Sequence, residues 1–262
     1  MKKYYIGIDI GGTYTRAVAL NDLQKQKVEF LKITTPQNRK DLENALLELI
    51  KKVNPRREKI MGIGVAVAGV VNRKRGTVEV AEHLRFLEGW NPVLFFKKKF
   101  QRPVLLENDS QCFVLAETLW GVARNKKNVL GVAIGTGIGG GILIDGKLYH
   151  GAHGSAGEVG DILVDKDKTF EQSAAKHAYE KEGDRSEHIG RALASLVSVL
   201  DPEMIVLGGG AVASRKINLE VVREAFQKQY MIDIKIGKIA IVFGKLGDAA
   251  QAIGAALLFK EG

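Results

Sequence analysis

The stretch GSAGEVGD (154–161) sets two acids, Glu158 and Asp161, three positions apart among glycines. Glycine reaches backbone conformations closed to other residues, at a cost in chain entropy. Acids on such a turn are solvated side chains, metal ligands or acceptors for a polar ligand. Just before it, IGTGIGGGILIDG (134–146) matches the dinucleotide fingerprint at Gly135, Gly137 and Gly140. That fingerprint needs a helix after its last glycine. Here the chain continues as alternating β-branched residues with a hairpin signal at Asp145-Gly146, and no G-x-x-x-x-G-K-[ST] stretch exists. A glycine turn between two strands can still cradle phosphate, because successive backbone N–H groups form an anion-binding nest. DIGGTYTR repeats the construction with Gly11, Gly12 and Thr13, and places Asp9 to hold a Mg²⁺-bound water. A third glycine cluster, VLGGGAV (206–212), ends another apolar run.

The elements that must carry these turns come in two similar series. KYYIGIDIG, TRAVALN and KVEFLKITT read as strands. RKDLENALLELIKKV follows as a helix, with Leu42, Ala45, Leu46, Leu49 and Ile50 at helical spacing. MGIGVAVAG is a buried strand, Asn91-Pro92 a cap and first-turn pair for NPVLFFKKKF, PVLLEND a strand and SQCFVLAETLWG a helix. Near residue 128 the pattern restarts. NVLGVAIG, GGGILIDG and GKLYHG are strands, and FEQSAAKHAYEK and SEHIGRALASLVSVL are helices. MIVLGGG, NLEVVREAFQK, KIAIVFG and DAAQAIGAALLF then alternate strand and helix. The duplication predicts two α/β halves facing each other across a cleft.

Composition bounds the rest. The chain has 262 residues, 45% hydrophobic and 26% charged, enough for a large domain or two smaller ones. Its single cysteine, Cys112, rules out an intramolecular disulfide and points to a reducing compartment. No apolar run is long enough to span a bilayer, so the chain is expected to be cytoplasmic. The net charge of +9 is spread over scattered basic residues, Lys97–Lys99 and Arg56 and Arg57 among them. No aromatic platform interleaves with them, so solvated surface is expected rather than a nucleic-acid site. His150 and His153 read as surface residues, and Trp90 and Trp120 as packing anchors.

Together the three glycine turns resemble those of the actin/Hsp70/sugar-kinase superfamily, and within it the ROK family (repressors, open reading frames and sugar kinases). GIDIGGTYTRAVAL resembles the first phosphate motif and ENDSQCFVLAE the catalytic E-N-D-A-N segment. IGTGIGGGILIDGKLYHGAHGSAGEVG resembles the family signature, IVLGGGAV the adenosine motif and LGDAAQAIGAALL the returning C-terminal helix. The resemblance implies two ribonuclease-H-like (actin-like) α/β domains with an interdomain cleft. Residues 1–113 plus 247–262 would form the first and 114–246 the second.

It also implies an ATP-dependent transfer of the γ-phosphoryl group to a hexose hydroxyl. Asp109 falls on the catalytic aspartate; its position just before a helix also suits a cap, but the cap alone would leave Asn108 unexplained. Asn108, Glu158 and Glu171 would bind sugar hydroxyls. Gly11, Gly12, Thr13, Thr15, Thr136, Gly137, Gly209 and Gly210 would contact ATP, with Mg²⁺ held through Asp9. Zinc-bearing members follow A-G-E-h-G with histidine, but Asp161 stands there in this chain. The C-x-C-G-x-x-G-C-x-E zinc segment is also missing, and Cys112 alone cannot supply tetrahedral ligands. No zinc is expected, and Asp161 would give the sugar pocket a third acid. Gln111 replaces the family's second asparagine. His83 lies where an asparagine is usual, and is read as a loop residue or a sugar contact. The expected partners are a sugar, ATP and a second copy in a homodimer, without nucleic acid or membrane. The first phosphate motif begins too near the start for the helix-turn-helix of a repressor. A non-catalytic sugar- or nucleotide-binding sensor is the alternative.

Overall fold

The computed structural model describes residues 3–21, 28–54, 59–230 and 239–260. Arg56 and Arg57 lie outside the described residues, as do Lys27 and Lys238, which open two of the expected strands. The chain divides into two compact units, Met1–Ala116 with Ala249–Gly262, and Glu117–Asp248.

The first unit opens with an antiparallel meander, β1 (Lys3–Ile10), β2 (Tyr14–Asn21) and β3 (Val28–Thr34). Helix α1 (Arg39–Val53) then carries the chain to β4 (Lys59–Val67), which pairs parallel to β1. The side chain of Asn38 starts α1 by accepting from Asp41 N–H. Leu42, Leu46, Leu49, Ile50 and Val53 of α1 are buried, as their spacing requires. A short hairpin, β5 (Val70–Asn72) with β6 (Thr77–Val80), comes next. Helix α2 (Pro92–Phe100) is capped by Asn91, whose side chain accepts from Leu94 N–H, with Pro92 in its first turn. Strand β7 (Val104–Asn108) pairs parallel to β4 and runs directly into α3 (Asp109–Leu119). The sheet order is β3-β2-β1-β4-β7.

The second unit repeats this plan with β8 (Val129–Ile134), β9 (Ile138–Ile144) and the short β10 (Lys147–Leu148) as an antiparallel meander. Hairpin β11 (Leu163–Asp165) and β12 (Lys168–Thr169) leads into α4 (Phe170–Ala174), α5 (Lys176–Glu182) and α6 (Ser186–Leu200). Strand β13 (Met204–Gly208) pairs parallel to β8. The one-turn α7 (Gly210–Ala213) and α8 (Leu219–Gln229) precede β14 (Ala240–Phe243), which pairs parallel to β13. The order β10-β9-β8-β13-β14 matches the first sheet, each reading third, second, first, fourth and fifth strand in chain order. Each unit has its own apolar core.

Helix α9 (Ala250–Leu257) belongs to the first unit and lies on β1 and β4. The approach is backbone to backbone: a Cβ at Gly7 would stand 1.9 Å from Ala252 O, and one at Gly64 1.8 Å from Ala255 O. The small-residue run in DAAQAIGAALL exists for that contact.

Three expectations need correction. The helix read across FEQSAAKHAYEK breaks at Ala175, which ends α4 and precedes α5 with ψ 177°. Lys176 N–H there donates to Gly135 O at 2.9 Å, a tertiary bond that replaces helix continuation. GKLYHG contributes two strand residues only. Hairpins β5–β6 and β11–β12 were not expected.

Candidate active site

In the first unit the strand register gathers the candidate residues at one edge. Asp9 of β1 stands beside Ala66 of β4, which stands beside Glu107 of β7, and Ile10, Val67 and Asn108 form the next row. These are the carboxyl ends of parallel strands, where open α/β sheets bind ligands. Gly11 N–H donates to Tyr14 O at 3.1 Å, closing the turn at 11–13. Asp9 is 2% exposed. Its Oδ2 accepts from Arg16 Nη1 at 3.0 Å.

Thr15 and Thr35 brace this turn from beneath. Thr35 Oγ1 donates to Gly11 O at 2.7 Å, which spends its only proton. The 3.0 Å contact between the two hydroxyls is therefore a bond donated by Thr15. Thr15 is fully buried. Its expected contact with ATP is corrected: it holds the turn in shape while Gly11, Gly12 and the exposed Thr13 form its surface. His83 is exposed and packs over Gly12, where a Cβ would lie 3.1 Å from its own Cβ.

Asn108, and not Asp109, supplies the cap of α3. Its Oδ1 accepts from Ser110 N–H at 2.8 Å and Gln111 N–H at 3.1 Å, while its Nδ2 donates to Gly69 O at 3.0 Å. Two amide donors fix which amide atom is oxygen. The expectation that a cap would leave Asn108 unexplained is thus corrected. Asp109 is half-buried and accepts at Oδ1 from Ser110 N–H at 2.8 Å. Burial pushes its carboxyl above the ordinary range, against the Ser110 hydrogen bonds and the Arg16 charge, which pull it down.

In the second unit the two glycine turns adjoin. Gly209 adopts φ 86°, and a Cβ on it would meet Ile134 O at 2.4 Å, so only glycine lets β13 end against β8 in this way. Gly210 N lies 3.9 Å from where a Cβ at Gly135 would stand, and Thr136 is exposed. Along the signature, Gly140 N–H donates to Gly157 O at 2.8 Å, pinning the acid-bearing turn to β9. Glu158 and Asp161 are exposed around a single 3-10 turn at Val159–Asp161. Glu171 Oε2 accepts from Ile138 N–H at 2.7 Å, so one of its oxygens serves the fold.

The ROK family model matches residues 5–175 and 168–262. The chain belongs to the ROK family. An N-acetylgalactosamine kinase of Shewanella sp. (strain ANA-3) is 29% identical, over 97% of this chain and 96% of that protein. A xylose repressor of Caldicellulosiruptor bescii is 26% identical, over 98% of this chain and 79% of the repressor. The fold is shared with a ROK family glucokinase from Streptomyces griseus, solved with glucose and AMPPNP. The TM-score is 0.86 at 24% identity, covering 99% of this chain and 100% of that one.

Beyond the acid-bearing turn the chain builds β11, β12 and α4. Thr169 and Gln172 form a reciprocal capping box at the start of α4. Phe170 is fully buried, and its N–H donates to Ile162 O at 2.8 Å.

Two buried acids with structural partners escaped the sequence reading. Glu117 is fully buried and accepts from Val122 N–H at 3.0 Å and Leu246 N–H at 2.9 Å. Glu107 pairs with Arg73. Glu107 stood inside the quoted catalytic segment, but nothing local in the sequence names its partner. No helix of the described residues is long and apolar enough to cross a membrane.

Proposed function

We propose that the protein is an ATP-dependent sugar kinase, glucokinase-like in its use of a hexose acceptor, and that Asp109 is its general base. The observation that carries this is the division of labour at the start of α3. Asn108 takes the capping task, and Asp109 is left with a carboxyl that burial makes more basic than usual. In the reaction a sugar hydroxyl oxygen forms a bond to the γ-phosphorus as the bond to the ADP oxygen breaks, and the hydroxyl proton passes to Asp109. A positioned base of this kind contributes about 10²–10⁴ in rate. Asn108 has spent Oδ1 on helix amides and one Nδ2 hydrogen on Gly69, so it meets a sugar as a donor, while Asp109 meets it as an acceptor. Glu158, Asp161 and the second oxygen of Glu171 are the further hydroxyl acceptors.

Gly11, Gly12, Thr13, Thr136, Gly137, Gly209 and Gly210 are the ATP contacts in this reading. The S. griseus relative's AMPPNP complex supports ATP as donor. Mg²⁺ takes oxygen ligands and is usually held by one or two carboxylates together with substrate phosphates. Asp9, a buried carboxylate beside the phosphate turn, fits that role. The ion would neutralise charge on the transferring oxygens. Zinc has no part in the proposal. A cytoplasmic homodimer that binds neither nucleic acid nor membrane completes it. The second reading, a sensor that binds sugar or nucleotide without turnover, is favoured by the acceptor side, where Asp161 stands without the family histidine.

ADP release with Mg-ATP across hexoses, amino sugars, N-acetylated sugars and polyols tests both. Turnover with one sugar that Asp109→Asn abolishes is the kinase result. Binding of sugar or ATP with no turnover on any acceptor is the sensor result.

A further inference from the structure

We propose that Arg73 and Glu107 are positioning residues for Asp109, through an ion pair by which hairpin β5–β6 fixes the backbone that carries the catalytic carboxylate. The catalytic half of this inference rests on the sugar-kinase reading. The structural half does not.

Glu107 is 2% exposed. A carboxylate so placed is costly to bury unless it is paired and hydrogen-bonded. Arg73 Nη1 lies 3.2 Å from Oε1 and 3.4 Å from Oε2, and Oε1 also accepts from Asn108 N–H at 2.8 Å. Among the described residues, β7 is an edge strand with β4 as its only sheet neighbour. The Glu107 side chain thus gives the last amide of β7 an acceptor that no further strand provides. One residue on, Asn108 Nδ2 donates to Gly69 O, immediately before β5. The hairpin therefore grips residues 107 and 108 from its base and from its turn, and Asp109 is the next residue. An ion pair that only added stability would have no reason to converge with a second bond on the two residues that lead into Asp109. Arg73 keeps about a third of its side chain exposed, so its removal opens no apolar cavity.

The test compares Arg73→Met, Arg73→Lys and Glu107→Gln with wild type by hydrogen exchange and steady-state kinetics. We expect Arg73→Met to speed exchange about tenfold or more in the peptide covering residues 107–113, with peptides from β1–β2 unchanged. The value of kcat should fall about tenfold or more while KM for ATP stays within about twofold, the mark of a misplaced base and an intact nucleotide site. Arg73→Lys should recover most of both. The double variant Arg73→Met with Glu107→Gln should lose less than the two singles combined, since Gln leaves no buried charge to pair. Unchanged exchange at 107–113, acceleration spread evenly over the unit, or additive losses in the double variant would each overturn the inference. If wild type turns over no sugar, the kinase reading falls, and the exchange experiment still decides whether the pair holds the segment.

Discussion

Asn108 Oδ1 sits 3.1 Å from Gln111 N and caps the start of the helix one residue ahead of Asp109. Capping and proton transfer are thereby assigned to adjacent residues, and their substitutions should separate. Asn108→Ala removes the cap and the bond to Gly69, and should cost about 0.5–2 kcal/mol of stability for the cap alone. Asp109→Asn should leave stability unchanged or raised. Its folded carboxyl titrates above the unfolded one, so as pH rises through that window the folded state loses the advantage of holding a proton, and the penalty persists at neutral pH. Asn carries no such penalty. Urea denaturation at pH 7 checks both, and a loss of stability for Asp109→Asn comparable to that of Asn108→Ala would contradict the assignment.

The same carboxyl sets the acid limb of activity. A general base works deprotonated, so kcat/KM should fall as pH drops through the Asp109 value, which lies above the ordinary Asp range because of burial. The groups acting on it are the Ser110 amide and hydroxyl and the Arg16 guanidinium, all of which pull it down. Arg16→Gln removes one of these and should move the acid limb to higher pH. A limb that stays in place, or moves the other way, would show that Arg16 does not act on Asp109.

Much of the fold is legible in the sequence. The meander with a glycine turn could be seen twice, and so could the Asn91-Pro92 helix start, because each is written in neighbouring residues. Asn108 was misjudged because N-cap preference fits Asn and Asp equally, and only the backbone path shows whose oxygen meets the Ser110 and Gln111 amides. Hairpin β5–β6 was overlooked because its strands are three and four residues long, too short for period-two alternation to register. The pairs Arg73–Glu107, Thr15–Thr35 and Glu117–Leu246 join residues far apart in sequence, and no local pattern encodes such a meeting. Thr15 looked like a ligand contact because it follows the phosphate turn, yet strand alternation turns it inward.

The contact between α9 and the first sheet gives a sharp stability prediction. Gly254 lies on the other side of α9, where a Cβ would stand 1.8 Å from Cys112 O. The helix is thus held between β1 and β4 on one face and α3 on the other by backbone contact. Gly64→Ala and Gly254→Ala should each destabilise by about 1–3 kcal/mol or more, since the neighbours they would meet are backbone atoms that cannot swing aside. Ala255→Gly, which adds no atom, should cost helix propensity, about 1 kcal/mol, and the burial of one methyl, about 0.8 kcal/mol. Denaturant midpoints for the three variants rank them directly.

Zinc dependence is the last point that the chain's own chemistry bears on. Residues 163–174, which contain no cysteine, are held by the β11–β12 pairing, the Thr169–Gln172 capping box and the buried Phe170 ring. These interactions involve no metal, so EDTA should leave Tm unchanged, and Mg²⁺ alone should restore full turnover afterwards, with no gain from added zinc. Thr169→Ala should lower stability by about 1 kcal/mol, because it removes the hydroxyl that accepts from Gln172 N–H. It should also raise KM for the sugar more than KM for ATP. The helix it caps bears Glu171, which accepts from Ile138 N–H and so ties α4 to the start of β9. A Tm that falls with EDTA and recovers only with zinc would mean that this segment draws its order from a metal after all.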